Sequence, residues 1–245
     1  MGAYSGFPRT CEPESSQLRA NPGYDPGVSD GIRKQAFLSS ISVRRQSADV
    51  GVTGSRHLSQ AISEGDGISL LAPVGDAAAA TAAERDGAEG IVLAHEIPGV
   101  RDATTLPILW SAAASAQTAA RAGADAFVLR VETDDGDRLH ELHLEAQELG
   151  LESVVSVSDE EQLALALEQV DPEIFLLSAH GDDEHDPLEG VLDLLPDVPA
   201  GKLAIAEVVA PSREYVLALE RAGIDGVIVR AGDVSRFVGG SPPEV

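Results

Sequence analysis

Lysine is nearly missing from this 245-residue chain: Lys34 and Lys202 are the only two, and arginine supplies the rest of its 17 basic residues. Positive charge as a whole is scarce, because 41 acidic residues bring the formal net charge to −24. Such a surface repels phosphate backbones and anionic lipid, so neither nucleic acid nor a membrane surface is an expected partner. It fits a protein of high-salt solution, where self-repulsion is screened, and equally the ordinary acidic proteome of a high-GC genome. Cys11 is the single cysteine, which excludes an internal disulfide and a thiolate metal cluster. Aromatics are only 4% of the chain against 43% hydrophobic residues, so aliphatic side chains must fill the core. No apolar run approaches the length of a membrane span. The opening "MGAYSGFPRTCEPESS" lacks the basic start and apolar stretch of a secretory signal, so the cytoplasm is the expected location.

Residues 1–30 are rich in Pro, Gly, Ser and acidic side chains, with "NPGYDPG" repeating turn signals, and read as an irregular arm. Residues 31–64 read as an extension with one or two helices, one of them capped by Ser55 and running through Ile62. From residue 65 to the end the pattern is regular. Eight short aliphatic runs, from "ISLLAPV" to "GVIVRAG", alternate with Ala/Leu/Glu-rich stretches of helical period. Gly87, Gly123, Gly150 and Gly223 stand where helices should end in the left-handed conformation. Strands apolar throughout and separated by helices are buried on both faces, hence parallel. Eight of them at this spacing predict a (β/α)₈ barrel, the second unit being too short for a full helix. An open doubly wound sheet is the alternative, but "ISLLAPVGDAAAA" lacks the glycine fingerprint that such a fold carries after its first strand.

From about residue 65 to 240, the run "GAEGIVLAHE…TTLPILW…AARAGADAFVLRV…SVVSVSDEEQLALAL…IFLLSAHG…KLAIAEVVAPSREYVLALERAGIDGVIV" resembles the indole-3-glycerol phosphate synthase family. The resemblance implies a TIM barrel that closes and decarboxylates a phosphorylated anthranilate–ribulose substrate. It also implies a Glu and a Lys on the first strand, a Lys after the third, a Glu on the fifth, an Asn on the sixth and "ESG" on the seventh. Laid onto this chain, Leu70 and Ala72 stand at the first pair of positions, Ser111 at the second lysine, and Ala112 at the Asp that follows it. Ser156 stands at the fifth-strand Glu and Ser178 at the sixth-strand Asn; Glu207 alone is retained, followed by Val208 and Val209. A serine hydroxyl cannot deliver a proton as an ammonium does, nor balance a carboxylate in a dry site.

The strand C-terminal ends of such a barrel build its site. Here they carry Asp76, His95, Glu96, Glu132, Asp159, His180, Glu207, Arg230 and Asp233. His180, Asp182 and His185 in "SAHGDDEHDP" have the donor types for a divalent metal, although their spacing matches no specific motif and an acidic loop is ordinary in so acidic a chain. Arg230 and Gly232 in "RAGDV" can take up a phosphate through a guanidinium fork and backbone N–H groups, with Asp233 opposing by repulsion. Trp110 is either a stacking platform beside Ser111 or a core residue. His140 and His143 share one helix face and read as packing or surface residues. Two functions follow as expectations. One is a pseudoenzyme that needs no cofactor, kept as a binding or assembly subunit that docks a protein through its arm or takes a small phosphorylated ligand. The other is a divergent enzyme, a lyase or a metal-dependent one, working at the same mouth.

Overall fold

The computed structural model describes residues 57–65, 67–113, 115–131, 136–178, 186–208 and 212–238. The arm, and most of the extension with Ser55, lie outside the described residues. Within residues 51–245, a compact unit of its own, strand and helix alternate as the hydrophobic pattern predicts. The strands are β1 (Ser69–Pro73), β2 (Gly90–Leu93), β3 (Ile108–Trp110), β4 (Ala126–Arg130), β5 (Glu152–Val157), β6 (Ile174–Ser178), β7 (Leu203–Glu207) and β8 (Gly226–Ile228). Each pairs in parallel with the next, and β8 pairs with β1, so the sheet closes into an eight-stranded barrel. Closure excludes the doubly wound alternative.

The helices are α1 (Leu58–Ser63), α2 (Ala77–Arg85), α3 (Val100–Ala103), α4 (Ala116–Arg121), α5 (Gly136–Glu148), α6 (Glu160–Gln169), α7 (Pro187–Leu194), α8 (Arg213–Ala222) and α9 (Val234–Phe237). The second unit holds only the four-residue α3, as its sequence demands. Helix starts are written in the sequence: the side chains of Asp76, Ser115, Asp159, Asp186 and Ser212 each accept a first-turn backbone N–H. Three of the predicted mouth carboxylates therefore have structural partners. Asp76 and Asp159 are caps, and Asp233 pairs with Arg236 at 2.7 Å.

Period-2 alternation divides the strand residues into two cores. Leu71, Val92, Leu109, Val154, Leu176 and Ile205 belong to the inner one, which fills the barrel. Ile91, Trp110, Leu129, Val155, Phe175 and Val227 belong to the outer one, between the sheet and helix residues such as Ala80, Ala119, Leu163 and Leu219. Two expectations change here. Trp110 is 2% exposed and packs in the outer core, so it is no stacking platform at the mouth. Leu70 and Ala72 also face outward, and the inward positions of β1 are Leu71 and Pro73. A one-residue slip transfers every side chain of a strand to the other face. The inward pair is nevertheless as uncharged as the pair first aligned.

Helix α1 differs from its expected form. Its N-cap position is His57, which makes no capping bond. The acceptor comes instead from the far side of the barrel: the Glu152 carboxylate takes the N–H of Leu58 at 2.5 Å and of Ser59 at 3.2 Å, and also the Ser59 hydroxyl. Leu58 and Ile62 join the inner core, so α1 plugs the N-terminal end of the barrel.

Candidate functional site

Continuing the inward series of each strand toward its C-terminal end gives a polar ring at the opposite mouth. Ser111 follows β3, Arg130 ends β4, Ser156 lies in β5, Ser178 ends β6, Glu207 ends β7, and Arg230 lies two residues beyond β8. The parity is set by buried neighbours: Trp110, Leu129, Val157, Leu177, Ala206 and Val229 all face the outer core. Ser111, Ser178, Glu207 and Arg230 therefore all stand at the C-terminal end of the barrel.

The ring has few internal bonds. Ser156, 5% exposed, stands with its hydroxyl 3.2 Å from that of Ser178. Ser111 Oγ donates to the Leu93 carbonyl at 3.3 Å, and Arg130 Nη2 donates to the Ser111 carbonyl at 3.3 Å. Glu207, Arg130 and Arg230 are exposed and form no ion pair among the described residues, whereas Arg85, Arg101, Arg138 and Arg236 each hold a carboxylate. Gly232 lies in a single 3₁₀ turn, Ala231–Asp233, exposed and with open space around its Cα. His180, Asp182, His185 and Glu132 lie outside the described residues. Among the described residues no group of three His, Cys, Asp or Glu side chains is placed to hold a metal ion. Lys202 cannot serve the mouth. It precedes β7, at the N-terminal end, and its Nζ sits 2.8 Å from the Asp171 carboxylate.

Sequence reasoning missed Arg130, and the signal was present. "RAGADAFVLR" (residues 121–130) and "RAGIDGVIVR" (residues 221–230) share Arg, Ala, Gly, Asp and the final Arg at matching positions. The structural match is close. Gly123 and Gly223 are both left-handed, with φ of 76° and 98°, a conformation that disfavours side chains with a Cβ. Asp125 Oδ2 accepts from the Ile108 N–H at 2.8 Å and Asp225 Oδ2 from the Ala204 N–H at 2.8 Å. Each latch ties its turn to the preceding strand.

His140 and His143 lie away from the mouth, as packing reasoning expected. His140 Nδ1 lies 3.1 Å from the Gln169 carbonyl, and His143 Nε2 lies 2.9 Å from Gln147 Nε2. Burial, reinforced by the neighbouring His140, holds His143 below the ordinary histidine pKa.

No family model matches the chain. It is 33% identical to the indole-3-glycerol phosphate synthase of Salinibacter ruber over 44% of this chain and 40% of that protein. It is 30% identical to the enzyme of that name from Geobacillus sp. over 62% of this chain and 65% of that protein. The aligned stretches thus span less than two thirds of these relatives' own length. Among solved structures it is similar to the N-acetylmannosamine-6-phosphate 2-epimerase of Clostridium perfringens (TM-score 0.60, 13% identity, 74% of this chain and 92% of that one). A mutant tryptophan synthase alpha-subunit of Pyrococcus furiosus is also similar (TM-score 0.51, 17% identity, 69% and 88%). At these identities the structural likenesses establish the barrel fold and nothing finer. No helix among the described residues is long and apolar enough to cross a membrane.

Proposed function

We propose that this chain is an indole-3-glycerol phosphate synthase-like barrel that does not run the lyase reaction of that family. In this reading it is a binding or assembly subunit whose mouth takes a small, phosphorylated ligand. One observation carries the reading: among the described residues no lysine reaches the mouth, Lys202 being held at the N-terminal end. The inward positions that the resemblance assigns to ammonium and carboxylate groups hold Leu71, Pro73, Ser111 and Ser156. Losing one preorganised charged group of this kind costs about 10²-fold or more in rate, and losing several that act together leaves little. Arg130 and Arg230 support the ligand half of the proposal, since a guanidinium without a carboxylate partner is a ready fork for an oxyanion.

The test is to supply purified protein with the family's phosphorylated anthranilate–ribulose substrate. The expected result is no indole product above the uncatalysed background, and measurable turnover overturns the proposal. A protein partner at the Pro/Gly-rich arm is part of the same reading. Native mass spectrometry of protein from its own cells should show a stoichiometric companion that is lost when residues 1–30 are removed.

A second reading is a divergent enzyme, favoured by Glu207, an exposed carboxylate at the mouth with no ion-pair partner among the described residues. In its metal-dependent form, His180, His185 and Asp182 would hold a divalent cation. That form requires metal to copurify with the protein and to vanish in His180→Ala.

A further inference from the structure

We infer that the N-terminal end of the barrel carries a second small-molecule site, a pocket beside α5 that takes a neutral polyhydroxylated compound about the size of a hexitol. This pocket shares no residue with the mouth, which lies at the other end of the strands.

The pocket, of about 350 Å³, is formed by α5, the start of β5 and the turn that joins α6 to β6. Sites for small molecules run from roughly 300 to 1,000 Å³. Bonds between elements fix its walls. His140 Nδ1 lies 3.1 Å from the Gln169 carbonyl, which ties α5 to the end of α6. Asp171, with a φ of 43°, turns the chain toward Pro172 and β6. Lys202 holds that turn through the Asp171 carbonyl at 3.3 Å and its carboxylate at 2.8 Å. Leu151, Val170 and Pro172 add an apolar wall.

Two polar atoms in this pocket lack the partners that burial normally requires. The other buried hydroxyl side chains are bonded: Ser69 Oγ donates to the Ile62 carbonyl at 3.5 Å, Thr104 Oγ1 to the Glu84 carboxylate at 2.7 Å, and Ser156 Oγ lies 3.2 Å from Ser178 Oγ. Ser153 is 8% exposed, and its hydroxyl has no partner among the described residues. Its parity on β5 is that of Val155 and Val157, so it faces outward, toward the helices. Three side-chain nitrogen and oxygen atoms are buried without a partner among the described residues, and two of them, Ser153 Oγ and His143 Nδ1, belong to residues that line this pocket. Buried polar groups are as a rule hydrogen-bonded, and an orphan marks a place where a partner fits.

The lining selects the ligand. The Gln147 amide nitrogen can only donate, and it lies 2.9 Å from His143 Nε2, so that nitrogen accepts and the neutral ring carries its proton on Nδ1. Burial favours this neutral ring. His143 thus presents a donor, Ser153 a group of either role, and Glu173 an exposed carboxylate in no ion pair among the described residues. An anion is repelled by Glu173 and by Glu152 and Asp171 beside it. A cation meets the Nδ1–H donor and finds two of those three carboxylates engaged, Glu152 by the N–H groups of α1 and Asp171 by Lys202. A hydroxyl accepts from an N–H and donates to a carboxylate. A short chain of hydroxyls therefore satisfies every polar group of the wall, while its C–H edges pack on Leu151 and Val170.

The test titrates the isotope-labelled full chain with glycerol, erythritol and D-sorbitol, followed through its backbone amide resonances. Shifts at His143, Ser153 and Glu173 should saturate, and Kd should fall about tenfold or more from glycerol to D-sorbitol as added hydroxyls complete further bonds. Ser153→Ala should weaken D-sorbitol about fivefold, the loss of one hydrogen bond. Its urea midpoint without ligand should stay at or above that of the parent, because the hydroxyl removed is unpaired. Glu173→Ala, at an exposed position, should weaken D-sorbitol to a similar degree with an unaltered midpoint. A clearly lowered midpoint in Ser153→Ala would mean that the hydroxyl is bonded within the protein, and the inference falls. Shifts that grow without saturation, in the pocket and elsewhere alike, belong to a co-solvent excluded from the surface and leave the pocket to water, which also overturns it. Saturable binding of methylammonium in place of the polyols would make the ligand a cation and overturn the polyhydroxylated class.

Discussion

The barrel carries an inward-facing carboxylate at each end, Glu152 at the start of β5 and Glu207 at the end of β7. Glu152 accepts hydrogen bonds from two backbone N–H groups and a hydroxyl of α1, with His57 3.9 Å away and its side chain only 18% exposed. Glu207 is exposed and has no ion pair among the described residues. The N-terminal end is thus closed by a helix whose orphan N–H groups use a charge from the barrel wall, while the C-terminal end keeps its charges available. A carboxylate fully bonded to its own protein is a structural device, and an exposed one without an ion pair keeps its acceptor oxygens for other partners.

The largest effect should come from the sealed end. Glu152→Ala strands two N–H groups of α1 and loosens the plug, which should cost about 2–4 kcal/mol of stability, read as a lowered urea midpoint. A parent-like midpoint would mean that α1 does not depend on that anchor. The latch Asp125→Ala, which frees the Ile108 N–H and the Arg101 guanidinium bound at 2.8 Å, should cost about 2–3 kcal/mol. Asp225→Ala, which frees one N–H and no arginine, should cost less, about 1–2 kcal/mol, and equal losses would show that the arginine adds nothing. At the open end, Glu207→Ala should move stability by less than about 0.5 kcal/mol, and a large loss would erase the contrast between the ends. The smallest effect concerns His143. Its pKa is depressed by burial, so the fold favours the neutral ring. The unfolded chain then binds more protons than the native one between the lowered value and about 6.5, and stability should fall as pH drops through that window. Denaturation series across that window should slope less in His143→Gln; an unchanged slope would assign the pH dependence elsewhere.

Legibility in the sequence followed the range of the interaction. Strand and helix succession, the short second unit and the left-handed Gly87, Gly123, Gly150 and Gly223 were all readable. Each depends on residues within one turn or one strand. The strand-end positions of Ser111, Ser178 and Glu207 were readable as well, because a strand end declares itself locally. The Leu70–Ala72 pair was assigned to the wrong face, and Trp110 stayed open between mouth and core, since runs apolar throughout carry no polar alternation to fix parity. Asp76 and Asp159 counted as mouth charges until their capping bonds appeared. Arg130 went unnoticed, although its "RAGADAFVLR" matches "RAGIDGVIVR", because the match acquires meaning only once β4 and β8 face each other.

Propensity, hydrophobic period and turn chemistry are short-range, and they were enough to specify eight strand–helix units along the chain. Closure is long-range. Register between β8 and β1, pairing residues such as Leu70 with Val227, chose which alternate side chains point at the barrel axis. It brought Glu152 beneath α1, 93 positions from Ser59 in the chain, and set β4 and β8, whose matching segments end in Arg130 and Arg230, four places apart in the ring.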